Sequence, residues 1–166
     1  MFRDIILEAK DVWKGYEGKD GIYRWVLSGI NLEVARGDFI AVLGGENTGR
    51  TALLDILSFN TIPDRGELRF EGRLISGRNN ELIKLRKERI ILLDGSRRGY
   101  ESTCLTERLA VVLVDNPDKK VQEELRTLPQ SDKALVAATT NVQIAEQAGM
   151  IYRLKEGNLL KLSGIF

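Results

Sequence analysis

Residues 39–51 read Phe-Ile-Ala-Val-Leu-Gly-Gly-Glu-Asn-Thr-Gly-Arg-Thr. Five apolar residues in a row, Phe39 to Leu43, fit a strand buried on both faces of a parallel sheet. The spacing Gly44-x-x-x-x-Gly49-Arg50-Thr51 then matches a phosphate-binding loop, and Leu53, Leu54 and Leu57 share one face of a helix expected over Thr51–Phe59. Such a loop works by turning backbone N–H groups toward an anion at the start of the helix, so strand, glycine loop and helix must follow one another in space as in sequence. The chain is thereby held to an α/β design with a parallel core. Arg50 stands where the pattern calls for lysine.

The flanking segments extend that design. Ile5–Val12 and Val26–Val34 alternate like strands on either side of a polar loop, Gly18-Lys19-Asp20-Gly21, and are expected to pair antiparallel. Beyond the loop helix the pattern predicts strands over Gly66–Gly72, Arg89–Leu93, Leu109–Val114 and Ala134–Ala138. Helices are predicted over Asn79–Lys87, over Asp118–Leu128 with Asp118 as its cap, and from Asn141, also as a cap, to Gly149. A hairpin, Met150–Leu154 and Leu159–Leu162, is expected to turn at Glu156-Gly157-Asn158. No repeat or low-complexity segment interrupts the pattern, and residues 1–166 read as one domain.

Composition narrows the function. With 43% hydrophobic residues in 166, the chain has material for one ordinary core. Lys+Arg 25 against Asp+Glu 24 leaves a formal charge of +1, which gives no general field for nucleic acid; Arg97-Arg98 reads as a solvated loop. The sequence contains no histidine, so neither a histidine metal site nor a histidine acid/base is available. Cys104, the single cysteine, reads as an inert thiol of a reducing compartment. No apolar run approaches a membrane span. Trp13, Tyr23 and Trp25 near the first strands read either as a partner surface or, as is commoner, as packing.

Several further segments carry a family resemblance: Lys14-Gly15-Tyr16, Val26-Leu27-Ser28-Gly29-Ile30-Asn31-Leu32-Glu33-Val34, Ile62-Pro63-Asp64-Arg65-Gly66-Glu67-Leu68, Glu71-Gly72, Leu85-Arg86-Lys87-Glu88-Arg89-Ile90, Val112-Leu113-Val114-Asp115-Asn116-Pro117 and Ala138-Thr139-Thr140-Asn141. Together with the loop they resemble the nucleotide-binding subunit of ABC transporters, nearest to the lipoprotein-release, macrolide-export and cell-division ATPases. The resemblance implies ATP with magnesium as the ligand: Tyr16 as the platform for the base, Gly44, Gly49, Arg50 and Thr51 around the phosphates, and Thr51 with Asp115 on the metal. Bland alternatives stand beside two of these. Tyr16 also reads as a partly buried aromatic of a strand end, and Asp115 as a carboxylate that ends a buried strand.

The departures fall on the positions that family chemistry uses. Arg50 keeps a charge but presents a broad planar fork where a compact ammonium belongs. Glu46 adds a carboxylate to the loop, repelling phosphate, whereas Asn47 in place of glycine is tolerable because asparagine accepts positive φ. Asn116 occupies the place of the glutamate that polarises the attacking water, and an amide cannot take that proton. Thr140 stands for the switch histidine and Gly95 for the magnesium-sensing glutamine. Between Gly95 and Leu109 only Ser96–Arg108 remain where the family inserts a helical subdomain ending in Leu-Ser-Gly-Gly-Gln, so that subdomain is expected to be deleted.

These residues imply weak ATP and magnesium binding and no catalytic residue. The expected role is a pseudo-ATPase, structural or regulatory, on the cytoplasmic face of a membrane complex. Its expected partner is an ABC-type membrane subunit, an intact ATPase subunit or a second copy of itself. Two alternatives stay open: a slow or non-hydrolysing ATP-binding switch, and a small P-loop kinase or GTPase. The latter lacks an Asn-Lys-x-Asp segment and has an unusually long β region before the loop.

Overall fold

The computed structural model describes residues 2–76, 80–94, 108–125 and 132–162. Two sheets share the core. The first is antiparallel, in the order β2-β1-β4-β5, from β1 (Ile5–Glu17), β2 (Tyr23–Ala35), β4 (Arg65–Phe70) and β5 (Arg73–Leu74). The second has six strands in the order β10-β9-β3-β8-β7-β6, built from β3 (Phe39–Leu43), β6 (Ile90–Asp94), β7 (Val111–Asp115), β8 (Ala134–Thr139), β9 (Met150–Lys155) and β10 (Asn158–Leu162). Its ladders are parallel except at the edge, where β10 pairs antiparallel with β9. The α/β class, the parallel core and the antiparallel N-terminal subdomain all match expectation.

Burial explains the continuous apolar runs. Ile40–Val42, Val111–Val114 and Ala134–Ala138 are covered on both faces, so neither pleat needs a polar side. Helix α1 (Arg50–Leu57) closes one face by burying Leu53, Leu54, Ile56 and Leu57 against Ile40, Val42, Leu113 and the inner side of β1 and β2. Each such side chain contributes about 2 kcal/mol. The opposite face is closed by α3 (Lys119–Leu125), whose Val121 and Leu125 pack with Val112, Val114 and Leu135. Helix α2 (Asn80–Glu88) bridges β5 to β6, and α4 (Val142–Ala145) connects β8 to β9.

Both expected caps form. Asp118 accepts from the Val121 N–H at 2.8 Å, and Asn141 accepts from the Gln143 N–H at 2.9 Å. The helix after Asn141 is a single turn, shorter than its sequence pattern suggested, because the chain leaves it through further turns to enter β9. The first two strands are longer than expected: Lys14, Gly15, Tyr16 and Glu17 pair with Leu27, Trp25, Arg24 and Tyr23. Gly95 and Cys104 lie outside the described residues, as do Arg97-Arg98 and the stretch 96–107.

Candidate functional site

The strands β3, β7 and β8 all end at one edge of the parallel sheet, where Leu43 is in register with Thr139 and Asp115 with Ala138. That edge, outside the carboxyl ends of the strands, is where open α/β sheets place ligands. It gathers the loop 44–49, the pair Asp115-Asn116 and the pair Thr139-Thr140, drawing three separate segments together. The Gly44 N–H donates to the Thr139 carbonyl at 3.1 Å and the Asn116 N–H to the Ala138 carbonyl at 2.7 Å, tying the three ends side by side.

The loop has the conformation a phosphate cradle needs. Asn47 and Gly49 sit at φ 61° and 100°, and α1 begins directly after Gly49. The N–H groups of Gly45, Glu46, Asn47, Thr48 and Gly49 meet no acceptor among the described residues, leaving a row of free donors at a helix start. The turn between β9 and β10 braces this row from behind: the Gly157 N–H donates to the Thr48 carbonyl at 3.0 Å and its carbonyl accepts from Ser28 N–H at 2.9 Å. The fit is close. A Cβ on Gly157 would lie 2.3 Å from the Val26 carbonyl oxygen, and one on Gly49 2.9 Å from the same atom.

In front of the loop lies a cavity of about 590 Å³ lined by Tyr16, Val26, Gly45, Glu46, Asn47, Gly49, Arg50, Thr51, Ala52 and Asp55. Tyr16, Gly49, Arg50 and Thr51 thus meet around one space; Gly44 sits just behind it. Tyr16 is 43% exposed, with the Lys14 ammonium 5.3 Å from its ring centre. Partial burial raises its phenol pKa, with the Asp55 and Asp64 carboxylates adding to the shift. Val26 and Asp55 were not singled out from sequence. Asp55 follows Thr51 by four residues, on the same helix face, and that spacing was the available signal.

Arg50 reaches both the loop and the end of β7. Its Nη1 donates to the Gly44 carbonyl at 3.0 Å, and its Nε lies 2.9 Å from Asp115 Oδ1. Both of these latter atoms are buried and neither has a hydrogen-bond partner among the described residues, so the contact is an ion pair without hydrogen-bond alignment. The side chain expected on the phosphates and the carboxylate expected on the metal form an ion pair with each other. A magnesium ion does not fit beside this pair. The pair carries no net charge, so the attraction of Asp115 for a divalent ion is largely offset by repulsion from the guanidinium beside it. No group of three or more His, Cys, Asp or Glu side chains able to hold a metal occurs among the described residues.

The rest of the edge is equally particular. Thr139 is fully buried and its hydroxyl accepts from the Asn141 N–H at 3.0 Å, whereas Thr140 is exposed. Asn116 turns the chain at φ 48°, a conformation asparagine tolerates better than glutamate.

Residues 27–155 match the family model described as ABC transporter. The chain belongs to this family. It is 34% identical over 137 residues to the lipoprotein-releasing system ATP-binding protein LolD of Porphyromonas gingivalis, covering 78% of this chain and 60% of that one. Over 84 residues it is 36% identical to the pyoverdine export ATP-binding/permease protein PvdT of Pseudomonas fluorescens, covering 50% of this chain and 13% of that protein. It therefore spans only part of either relative. A dimeric bacterial ABC transporter cassette superposes with a TM-score of 0.79 at 18% identity, covering 96% of this chain and 100% of that one. A component of the cbiONQ ABC transporter complex of Clostridium perfringens gives 0.72 at 17%, covering 95% and 87%. These likenesses at low identity show the ABC cassette fold. Membership of the ABC family takes the place of the small-kinase and GTPase alternative.

Proposed function

We propose that this chain is a catalytically inactive ABC-type subunit, a pseudo-ATPase with a structural or regulatory role in an ABC-transporter-like membrane complex. The observation that carries it is the Arg50 guanidinium lying between the Gly44 carbonyl and Asp115, with Asn116 next in the chain. Hydrolysis by this family's route asks for a cation on the phosphates, a carboxylate on magnesium and a second carboxylate on water. Here the first two are joined to each other and the third is an amide, which leaves no proton acceptor at that place.

Assembly is the second part of the proposal. The sequence contains no Leu-Ser-Gly-Gly-Gln segment, and Ser96–Arg108 are too few to hold the helical subdomain that would carry it. A head-to-tail pair with nucleotide sandwiched between loop and signature is then not open to two copies of this chain. Among the described residues no helix is long and apolar enough to cross a membrane. In this reading the chain sits on the cytoplasmic face, held by an ABC-type membrane subunit, an intact ATPase subunit or a second copy through contacts that do not use ATP.

One observation favours the second reading, a non-hydrolysing ATP-binding switch: the free N–H groups at residues 45–49 still form an anion cradle. Affinity capture of tagged protein from membranes, with and without ATP and magnesium, separates the two. Retention of a defined partner under both conditions is expected. A monomer left in the soluble fraction under both, or association that needs ATP, contradicts the scaffold role.

A further inference from the structure

Arg50 does more than substitute for a lysine. Asp115 is fixed at the end of β7 by pairing with Asp94 on one side and Ala138 on the other, so its carboxylate stays at the sheet edge whatever the loop does. Its Oδ1 is buried and takes no hydrogen bond among the described residues. A carboxylate so placed calls for a cation, either a metal or a side chain. The structure supplies a side chain: Arg50 Nε at 2.9 Å, with the guanidinium anchored at its other end by the Gly44 carbonyl at 3.0 Å. Guanidinium stays protonated at every pH a protein survives and, unlike a metal ion, cannot diffuse away.

We propose that Arg50 is a built-in counter-cation for Asp115, so that any nucleotide entering this loop does so as the metal-free anion. The inference rests on the inactive-subunit reading above and gives that site a ligand class: a nucleoside phosphate without a divalent ion. The free N–H groups of residues 45–49 and the start of α1 face the phosphates, and Tyr16 lines the same cavity. Excess magnesium then competes with the protein for the nucleotide instead of helping it to bind.

The test is calorimetric titration of the full chain with ATP, once in EDTA and once in excess magnesium, repeated for Arg50→Lys. Wild-type binding is expected to weaken by about threefold or more in excess magnesium relative to EDTA, because magnesium takes up the free nucleotide, whereas magnesium tightens binding to Arg50→Lys by about tenfold or more, because the smaller ammonium releases Asp115. If Arg50→Lys fails to give a cooperative melt, Arg50→Met serves in its place, since it also frees the carboxylate. Wild-type binding that is as tight or tighter with magnesium overturns the proposal, as does the absence of binding under both conditions. A variant that magnesium weakens as much as wild type shows that Arg50 is not the cause and overturns it too. Phosphate release is followed in the same samples: hydrolysis by wild type counts against the inactive-subunit reading, while magnesium-dependent binding without hydrolysis counts against this inference alone.

Discussion

The two sides of the nucleotide edge are built from different materials. The cradle, residues 44–49, is made of backbone: positive φ at Asn47 and Gly49, free N–H groups, and a brace from Gly157. The facing side, Asp115-Asn116 and Thr139-Thr140, depends on side chains. Backbone geometry survives almost any substitution that keeps the turn, so Asn47 and Glu46 leave the cradle's shape intact. Side-chain chemistry does not survive the exchange of a carboxylate for an amide, and one long cation can tie up what remains. On the proposed reading, the fold keeps the form of a phosphate site while the side chains facing it take other roles.

The largest expected effect strikes the cradle. Gly157→Ala places a methyl group about 2.3 Å from the Val26 carbonyl at a φ of 77°, so either the hairpin or β2 must move. A loss of about 3 kcal/mol in urea unfolding is expected. A change below about 0.5 kcal/mol would show that the brace is slack and that the cradle's form does not depend on it.

Next comes the cation. In excess magnesium, Arg50→Lys is expected to tighten ATP binding about tenfold, and Glu46→Ser to add a smaller gain of about threefold by removing a like charge from the phosphates. Weaker binding by the lysine variant would mean that the arginine is adapted to the phosphates and that the contrast between the two sides is misdrawn.

How far this contrast was legible in the sequence differs by element. Phe39–Leu43 and Ala134–Ala138 declared themselves as parallel strands because burial on both faces removes polar residues from the run. The ends of β1 and β2 did not: Lys14, Tyr16 and Glu17 carry polar groups, and their strand form comes from pairing across to Leu27, Arg24 and Tyr23. The loop residues were legible through their spacing. The Arg50–Asp115 ion pair was not, because sequence assigned each residue a ligand, and only the adjacency of β3 and β7 ends around β8 shows that they reach each other. The Gly157 brace was likewise visible only as a turn, since its partners lie in β2 and the loop.

The smallest effect concerns the platform beside the cradle. Asp64 accepts from the Gly15 N–H at 2.8 Å and from the Tyr23 hydroxyl, and pairs with Lys14 at 3.6 Å, holding the strand that carries Tyr16. Burial alone would raise its pKa, yet the Tyr23 and Gly15 hydrogen bonds and the Lys14 charge outweigh it and lower the net value. A carboxyl depressed on folding contributes stability that is complete above its unfolded pKa of about 3.9 and is lost as pH falls through the lower folded value. Wild type is therefore expected to lose stability on acidification below about pH 4 more steeply than Asp64→Asn, compared by thermal melts. Parallel pH curves for the two would remove Asp64 from the account of how the platform is held.

Steady-state phosphate release from ATP by the purified protein, in excess magnesium, tests the central claim most directly. With Asn116 at the base position and Arg50 paired to Asp115, no release above a protein-free blank is expected, because loss of a general base alone costs about 10²–10⁴ in rate. Turnover that is clear of the blank and disappears in Asp115→Ala would show that the facing side is catalytic after all, and would contradict the account.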